Sequence, residues 1–323
     1  MTDAPIGVLV MAYGTASGPG DIERYYTDIR GGRAPTPQHL QELKDRYAAI
    51  GNVFPLSGTT HAQAEGIVER LNAEPGGDRF RAYLGMKHSE PFIAQAVQAM
   101  RANGVERAVG IVMAPHWSGM SVETYIERAI QAADGDLLFT FVRSYHDHPA
   151  FIRFLADRVV HALERLSADE RANTTVIFSA HSLPVRTLDD GTQRCKTCDC
   201  DSSCRYRDGL QRTADLVAER LGLDDFLIAW QSAGRTDDPW WGPPVDRVIE
   251  ELALVGRDAV VVCSAGFVAD HLEILYDLDI EARAIAEEAH LRFERTEMPN
   301  ADPAYLDVLA AVVHEHLAEV PAG

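Results

Sequence analysis

The chain has 323 residues, 46% of them hydrophobic and 24% charged, values typical of a soluble globular protein with room for two domains. Its net charge of −19 excludes a non-specific nucleic-acid binder, which needs a basic surface, although a few local arginines could still bind an anionic small molecule. No apolar run reaches the roughly 18 residues of a membrane span, and the N-terminus lacks the basic start of a secretion signal, so we expect a cytoplasmic protein.

Short apolar runs alternate with helical patterns along the chain. In order, strands are predicted at 6–11, 80–85, 108–114, 137–143, 175–179, 226–230 and 259–263, and helices at 21–31, 36–51, 61–72, 90–103, 121–133, 148–166, 208–221, 245–255, from about 270, and at 303–320. Two rounds of alternation predict an α/β protein with two similar parallel-sheet domains, 1–147 and 170–300, linked by a helix at 148–169 and followed by a helix at 301–323. Ligands of such sheets bind beyond the carboxyl ends of the strands, which predicts a cleft between the domains.

The segment 266–281, GFVADHLEILYDLDIE, concentrates acidic residues directly after an apolar run. At 3.6 residues per turn, Glu273, Asp277 and Glu281 share one ridge of a helix, with His271 near its start. Like charges at this spacing destabilise an isolated helix, and no Lys or Arg lies among them. The ridge is therefore either a solvated acidic face or a path for a metal ion or protons, and the adjoining strand and histidine favour the path.

His181 follows the apolar run 175–179 closely and should emerge at the end of a strand. A neutral imidazole there can accept a proton near pH 7 or bind a metal, although a single histidine is more often structural. Glu273, beyond a strand of the same half, allows a His–Glu pair. The motifs GxGxxG, GxxxxGK[ST] and GxSxG are absent, so we expect no nucleotide cofactor and no nucleophile elbow.

Four of the five cysteines lie within ten residues, inside an insert at 190–207: Cys195, Cys198, Cys200 and Cys204. This clustering in a cytosolic chain favours thiolate ligands for an iron–sulfur cluster or zinc over free thiols. No histidine lies nearby, and the chemistry alone leaves both metals open. The fifth, Cys263, lies in an apolar strand and is expected in the core.

Further candidates could bind a flat ligand that carries several carboxylates. Arg30 and Arg46 lie on predicted helices of the first domain, and Tyr125 follows a short loop. Isolated helical arginines are usually solvated, but guanidinium groups bind carboxylates in bidentate fashion when a ligand offers them. Trp240 and Trp241 either flank a flat ligand or pack in a domain interface.

Seven segments, taken together, resemble the ferrochelatase family, in the family's order and over nearly the whole chain. They are VLVMAYGT at 8–15, DIERYYTDIRGGR at 21–33, MKHSEPFI at 86–93, FSAHSLP at 178–184, WQSAGRTDDPWWGPP at 230–244, GFVADHLEILYDLDIE at 266–281 and EMPN at 297–300. The resemblance is closest to the water-soluble monoderm-type members, which insert iron into coproporphyrin III. Tyr13 supports this, since the membrane-associated protoporphyrin enzymes lack that tyrosine.

The resemblance implies two Rossmann-like domains of type II chelatase architecture, with the porphyrin in the cleft between them. By motif position His181 and Glu273 match the catalytic pair at the substrate Fe²⁺, with Tyr13 across the macrocycle. The remaining matches are an outer metal site at Lys87 and His88, and propionate-holding groups at Arg30, Arg46 and Tyr125. We expect Asp277 and Glu281 to pass protons out or iron in.

Two departures from the family pattern stand out. Phe54 occupies a position where related enzymes often carry a propionate-binding serine, and the cysteine insert replaces a short turn. Some members of the family carry a [2Fe–2S] cluster on clustered cysteines. That resemblance favours a [2Fe–2S] cluster over zinc here.

The expected activity is coproheme formation in haem biosynthesis by a monomer, with the next enzyme of the haem pathway as a partner. The alternatives are iron insertion into protoporphyrin IX, cobalt insertion into an early corrinoid, and a non-catalytic tetrapyrrole or iron carrier. A two-domain sugar-transferring enzyme is disfavoured by the carboxylate ridge.

Overall fold

A computed structural model describes residues 4–73, 79–198, 200, 203–234 and 236–319. Its N-terminal half contains a sheet of four parallel strands in the order β2-β1-β3-β4. The strands are β1 (Ile6–Ala12), β2 (Phe80–Met86), β3 (Arg107–Val112) and β4 (Leu138–Val142). All seven residues of β1 are buried, as a central parallel strand covered on both faces requires.

Among the described residues, this half also has five helices and a 3₁₀ turn at Pro19–Asp21. The helices are α1 (Ile22–Ile29), α2 (Pro37–Ala49), α3 (Leu56–Leu71), α4 (Ile93–Ala102) and α5 (Val122–Ala133). Of these, α3, α4 and α5 pack on the sheet, and α1 and α2 pack on each other. The predicted start of α2 is confirmed, because Thr36 Oγ1 accepts the His39 N–H at 3.2 Å and Pro37 follows the cap. The predicted start of α3 at residue 61 is wrong: the helix already begins at Leu56, directly after Pro55.

The C-terminal half repeats the design with a second parallel sheet, in the order β10-β9-β5-β8. Its strands are β5 (Thr174–His181), β8 (Phe226–Gln231), β9 (Ala259–Cys263) and β10 (Arg292–Arg295), and a separate antiparallel hairpin is formed by β6 (Val185–Thr187) and β7 (Gln193–Cys195). The helices are α6 (Pro149–Glu164), α7 (Ala168–Ala172), α8 (Arg205–Leu221), α9 (Val245–Leu254), α10 (Leu272–Leu275), α11 (Arg283–Glu288) and α12 (Pro303–Glu319).

The acidic segment differs from the regular α-helix that its spacing predicts. After the single turn of α10, the chain forms a π-helical turn at Asp277–Ala282 before α11 begins. The Glu281 N–H bonds to the Tyr276 carbonyl at 3.0 Å, which is the wider i→i+5 pattern. The strict i, i+4, i+8 ridge is therefore wrong, because a π-turn holds more residues than an α-turn.

The last helix, α12, packs back across the molecule against α3 and α6. Tyr305 on α12 is fully buried, and its hydroxyl lies 3.0 Å from that of Tyr145, which follows β4. Within the described part of the chain, none of the helices is long and apolar enough to cross a bilayer. Buried side chains of both sheets belong to one hydrophobic core, which joins the two halves.

Candidate functional site

His181 and Glu273 meet in the cleft. His181 is the last residue of β5, and its Nε2 lies 3.5 Å from Oε1 of Glu273 on α10. The other carboxylate oxygen, Oε2, lies 3.5 Å from Nε2 of His271. Glu273 therefore lies between two imidazoles. The contact with His271 could have been inferred from the sequence, because only Leu272 separates the two residues.

The protonation of this pair is set by competition between burial and charge. Burial lowers the pKa of the His181 imidazole, but the Glu273 carboxylate outweighs it, so the net shift is upward from 6.5. Burial raises the pKa of Glu273, but the imidazoles of His181 and His271 outweigh this effect. The pKa of Glu273 therefore lies well below its usual range. The pair thus holds a carboxylate beside an imidazole that readily gains a proton.

The backbone around His181 fixes its ring. Nδ1 contacts the Ser182 carbonyl, which only accepts, so Nδ1 carries hydrogen and Nε2 faces Glu273. The His181 carbonyl accepts the Tyr206 hydroxyl at 2.9 Å. Phe267 packs beside both imidazoles, with ring centroids 6.3 Å from His181 and 4.9 Å from His271.

Asp277 is compensated by a cation from the other half of the molecule. Arg46 on α2 forms an ion pair with one carboxylate oxygen, and Ser232 Oγ donates to the other at 2.5 Å. The Arg46 guanidinium also lies 4.5 Å from the Tyr276 ring centroid. Burial raises the pKa of Asp277 to about 6, against the opposing effect of Arg46. Arg46 is therefore the cation that compensates Asp277, whereas Arg295 pairs with Asp270 and Asp279 of the same segment.

Tyr13 is a partly exposed residue of the N-terminal half that follows β1. It is 42% exposed, and its ring centroid lies 4.6 Å from that of His88. Desolvation raises the pKa of the Tyr13 hydroxyl, and the Glu273 carboxylate raises it further. His88 is buried, with Nδ1 2.6 Å from Oδ1 of Asp28. Tyr13, from the N-terminal half, is thus near enough to the Glu273 carboxylate for its charge to act on the phenol.

The other predicted site residues differ in their burial and in the groups they contact. Lys87 Nζ donates to Thr124 Oγ1 at 2.8 Å, and burial lowers its pKa to about 8. Tyr125 is only 3% exposed and lies in the core below Lys87, whose ammonium is 5.1 Å from its ring centroid. Arg30 donates to the Arg33 carbonyl at 3.3 Å. Of the three predicted carboxylate-holding groups, Arg46 alone pairs with the acidic segment.

Two predicted positions remain, the exposed Glu281 and the half-buried Phe54. Burial raises the pKa of the Tyr276 phenol, and the nearby Glu281 carboxylate raises it further. Phe54 stacks on Tyr47, with ring centroids 4.5 Å apart.

The four clustered cysteines are all buried in a lobe that we call the cysteine lobe: the hairpin β6–β7, the chain to Cys204 and the first turn of α8. Cys195 and Cys204 have their sulfurs 3.2 Å apart, and Cys198 and Cys200 form a disulfide. The hydrogen bond from Cys195 lowers the pKa of Cys204 to about 6. Among the described residues, no group of three or more His, Cys, Asp or Glu side chains is arranged to hold a metal ion.

Comparison with known proteins gives consistent matches over nearly the whole chain. Residues 5–317 match the family described as Ferrochelatase. Coproporphyrin III ferrochelatase of Anoxybacillus flavithermus is 44% identical, with 98% of each chain covered, and that of Bacillus subtilis is 43% identical, with 98% of this chain and 99% of the relative covered.

Solved structures match the fold at low sequence identity. SirB from Bacillus subtilis with Fe³⁺ aligns with a TM-score of 0.58 at 12% identity, covering 97% of this chain and 96% of that one. CbiX, described as the terminal enzyme for biosynthesis of siroheme in denitrifying bacteria, aligns with a TM-score of 0.53 at 10% identity, covering 98% and 100%. The predicted α/β fold with two parallel sheets, of the type II chelatase kind, is confirmed.

Proposed function

Because the chain belongs to the ferrochelatase family, we propose that it inserts Fe²⁺ into coproporphyrin III to give coproheme. The observation that carries this proposal is the His181–Glu273 pair, 3.5 Å apart in the cleft of a chain 44% identical to a coproporphyrin III ferrochelatase over 98% of its length. The decisive test is an anaerobic metallation assay that compares coproporphyrin III with protoporphyrin IX. A higher kcat/KM for protoporphyrin IX would instead favour that substrate.

The proposed mechanism divides the chemistry between the two walls of the cleft. Metal insertion removes two pyrrole protons, which His181 Nε2 accepts one after the other and releases to the acidic path, while Glu273 directs the incoming Fe²⁺ to the ring. Asp277 and Glu281 continue the acidic path away from that point. A cleft that binds a distorted macrocycle better than a flat one lowers the barrier to insertion, with Tyr13 on the opposite face.

The activity should have an acid limb above pH 6.5. His181 accepts a proton only as the neutral imidazole, and its pKa is shifted upward from 6.5 by Glu273. The kcat should therefore fall as pH drops through the raised pKa, because protonated His181 cannot act as a base. In Glu273→Gln the limb should move to lower pH. A limb that stays at the same pH in that variant would contradict the assignment, and the measurement is kcat against pH for both proteins.

Arg46 is proposed to hold a substrate carboxylate, for which Asp277 competes. Arg46→Gln should raise the KM for coproporphyrin III about tenfold, because a hydrogen bond to a charged group contributes about that much to binding. The KM for protoporphyrin IX should rise less. Asp277→Asn should instead strengthen porphyrin binding, because it releases the guanidinium. The matched control is Asp279→Asn. Asp279 lies in the same turn as Asp277, but its carboxylate pairs with Arg295. Equal effects of Asp277→Asn and Asp279→Asn would contradict this role.

The cysteine lobe gathers four cysteine side chains, although they are not arranged around a metal ion in the described structure, and reduction of the Cys198–Cys200 disulfide would make all four sulfurs available as ligands. Its sulfurs are buried, and the Cys195 sulfur accepts the Trp241 indole N–H at 3.2 Å. Backbone N–H groups near the start of α8 also lower the pKa of Cys204, which favours its thiolate. We propose that Cys195, Cys198, Cys200 and Cys204 hold a [2Fe–2S] cluster, with zinc as the alternative. Such a cluster supplies a one-electron redox centre, whereas metal insertion consumes no electron.

Freshly purified protein should show the visible absorption bands of a [2Fe–2S] centre. The bands should be lost in Cys198→Ser, which removes one proposed ligand. They should persist in Cys263→Ser, the matched control in the core of β9. A colourless protein that contains zinc would contradict the cluster.

A further inference from the structure

The first turn of α8 connects the cysteine lobe to the strand that carries His181. Cys204 occupies the N-cap of α8, and Tyr206 lies two residues further on. The Tyr206 side chain is buried at 7% exposure, and its hydroxyl donates to the His181 carbonyl at 2.9 Å. A lobe cysteine is therefore only two residues away from the side chain that hydrogen-bonds the backbone of His181.

Trp241 makes a second connection, between a lobe cysteine and the two residues that follow the same strand end. Its indole N–H donates to Cys195 Sγ at 3.2 Å. Its backbone N–H donates to the Leu183 carbonyl at 3.1 Å, and its carbonyl accepts Ser182 Oγ at 2.8 Å. Residues 182 and 183 directly follow His181, so Tyr206 and Trp241 together hold the chain from the His181 carbonyl to Leu183.

The aromatic rings in these connections have fixed positions. The Trp230 ring centroid lies 5.6 Å from that of Tyr206 and 5.9 Å from that of Trp241. Trp230 is itself buried on β8, which pairs with β5 so that Trp230 faces Ala180. Removing the Tyr206 hydroxyl should therefore leave the packing intact and delete a single hydrogen bond.

We propose that Tyr206 is a positioning residue for His181, and that the cysteine lobe sets the orientation of the imidazole through Tyr206 and Trp241. The proposal rests on the proposed function only in that His181 acts on the substrate. The His181 Nδ1 bonds to the Ser182 carbonyl, so the ring follows any shift of the peptides that the lobe holds. Misplacement of a reacting group by about 1 Å can cost about 100-fold in rate.

Tyr206→Phe tests the hydrogen bond directly. We expect kcat for metallation to fall about fivefold, the equivalent of one neutral hydrogen bond, while the KM for porphyrin stays unchanged. Binding of metal-free coproporphyrin, followed by fluorescence, should also be unchanged, because Tyr206 holds His181 and not the macrocycle. The matched control is Tyr145→Phe, which removes a buried hydroxyl 3.0 Å from Tyr305 and should leave kcat unchanged.

A double variant tests whether the lobe acts through Tyr206. Cys204→Ser alone should lower kcat, and adding Tyr206→Phe should lower it little further, because both changes release the same strand end. Wild-type kcat in Tyr206→Phe, an equal loss in Tyr145→Phe, or effects that multiply in the double variant would each overturn the proposal. Absence of metallation by the wild-type protein would refute the proposed function instead.

Discussion

Replacing His181 with alanine should lower kcat for Fe²⁺ insertion by a factor of about 10² to 10⁴, the usual contribution of a positioned general base. The imidazole is the group on β5 that faces Glu273, and its tautomer leaves Nε2 free to accept a proton. Porphyrin binding should persist, because the variant removes a proton acceptor and leaves Arg46 in place. Stopped-flow metallation under anaerobic conditions measures the step directly.

Glu273→Gln is the partner experiment for the His181 variant. It keeps the shape of the side chain but removes the charge that raises the pKa of His181. The two single losses should not multiply in the double variant, because the residues act as one unit. His161→Ala, an exposed histidine on α6, is the control for loss of an imidazole. Near-wild-type kcat in both site variants would remove this pair from the mechanism.

The sequence was sufficient to locate His181, because its position depends on a local rule. An apolar run that ends in a polar residue predicts the carboxyl end of a parallel strand, where ligands bind. The antiparallel hairpin β6–β7 and the edge strand β10 were not predicted. β10 has four residues with three charges, and its buried Glu294 pairs with Arg292 of the same strand and with Arg165 at the C-cap of α6, a distant contact that no local pattern reveals.

The environment of the acidic segment could not be predicted for the same reason. The ion pair between Arg46 and Asp277 joins residues 231 positions apart, so it depends on how the two halves pack. The π-turn at Asp277–Ala282 also could not be predicted, because a helical periodicity of 3.6 residues per turn does not describe it. Spacing alone placed the lobe cysteines near one another, but the contact of Trp241 with Cys195 arises from tertiary packing.

Gly266→Ala should be among the most damaging small substitutions, because the added methyl group has no space. A Cβ at Gly266 would lie 2.5 Å from the Ala180 Cβ and 2.8 Å from the Ala180 Cα, so backbone must move. The Gly266 N–H also bonds to the Ser179 carbonyl at 3.0 Å, which ties this loop to β5. Overpacking of this kind costs about 1–3 kcal/mol.

The same clash should lower activity beyond the loss of stability. Gly266 lies on the loop that leads to Glu273, and Ala180 precedes His181, so a shift between the two segments separates the pair. We expect a fall in Tm of several degrees together with a lower kcat for the protein that remains folded. The matched control is Gly58→Ala on α3, where the new Cβ meets nothing within 4 Å and should leave Tm equal or higher. Wild-type Tm and kcat in Gly266→Ala would show that the strand end and the loop can separate without affecting the site.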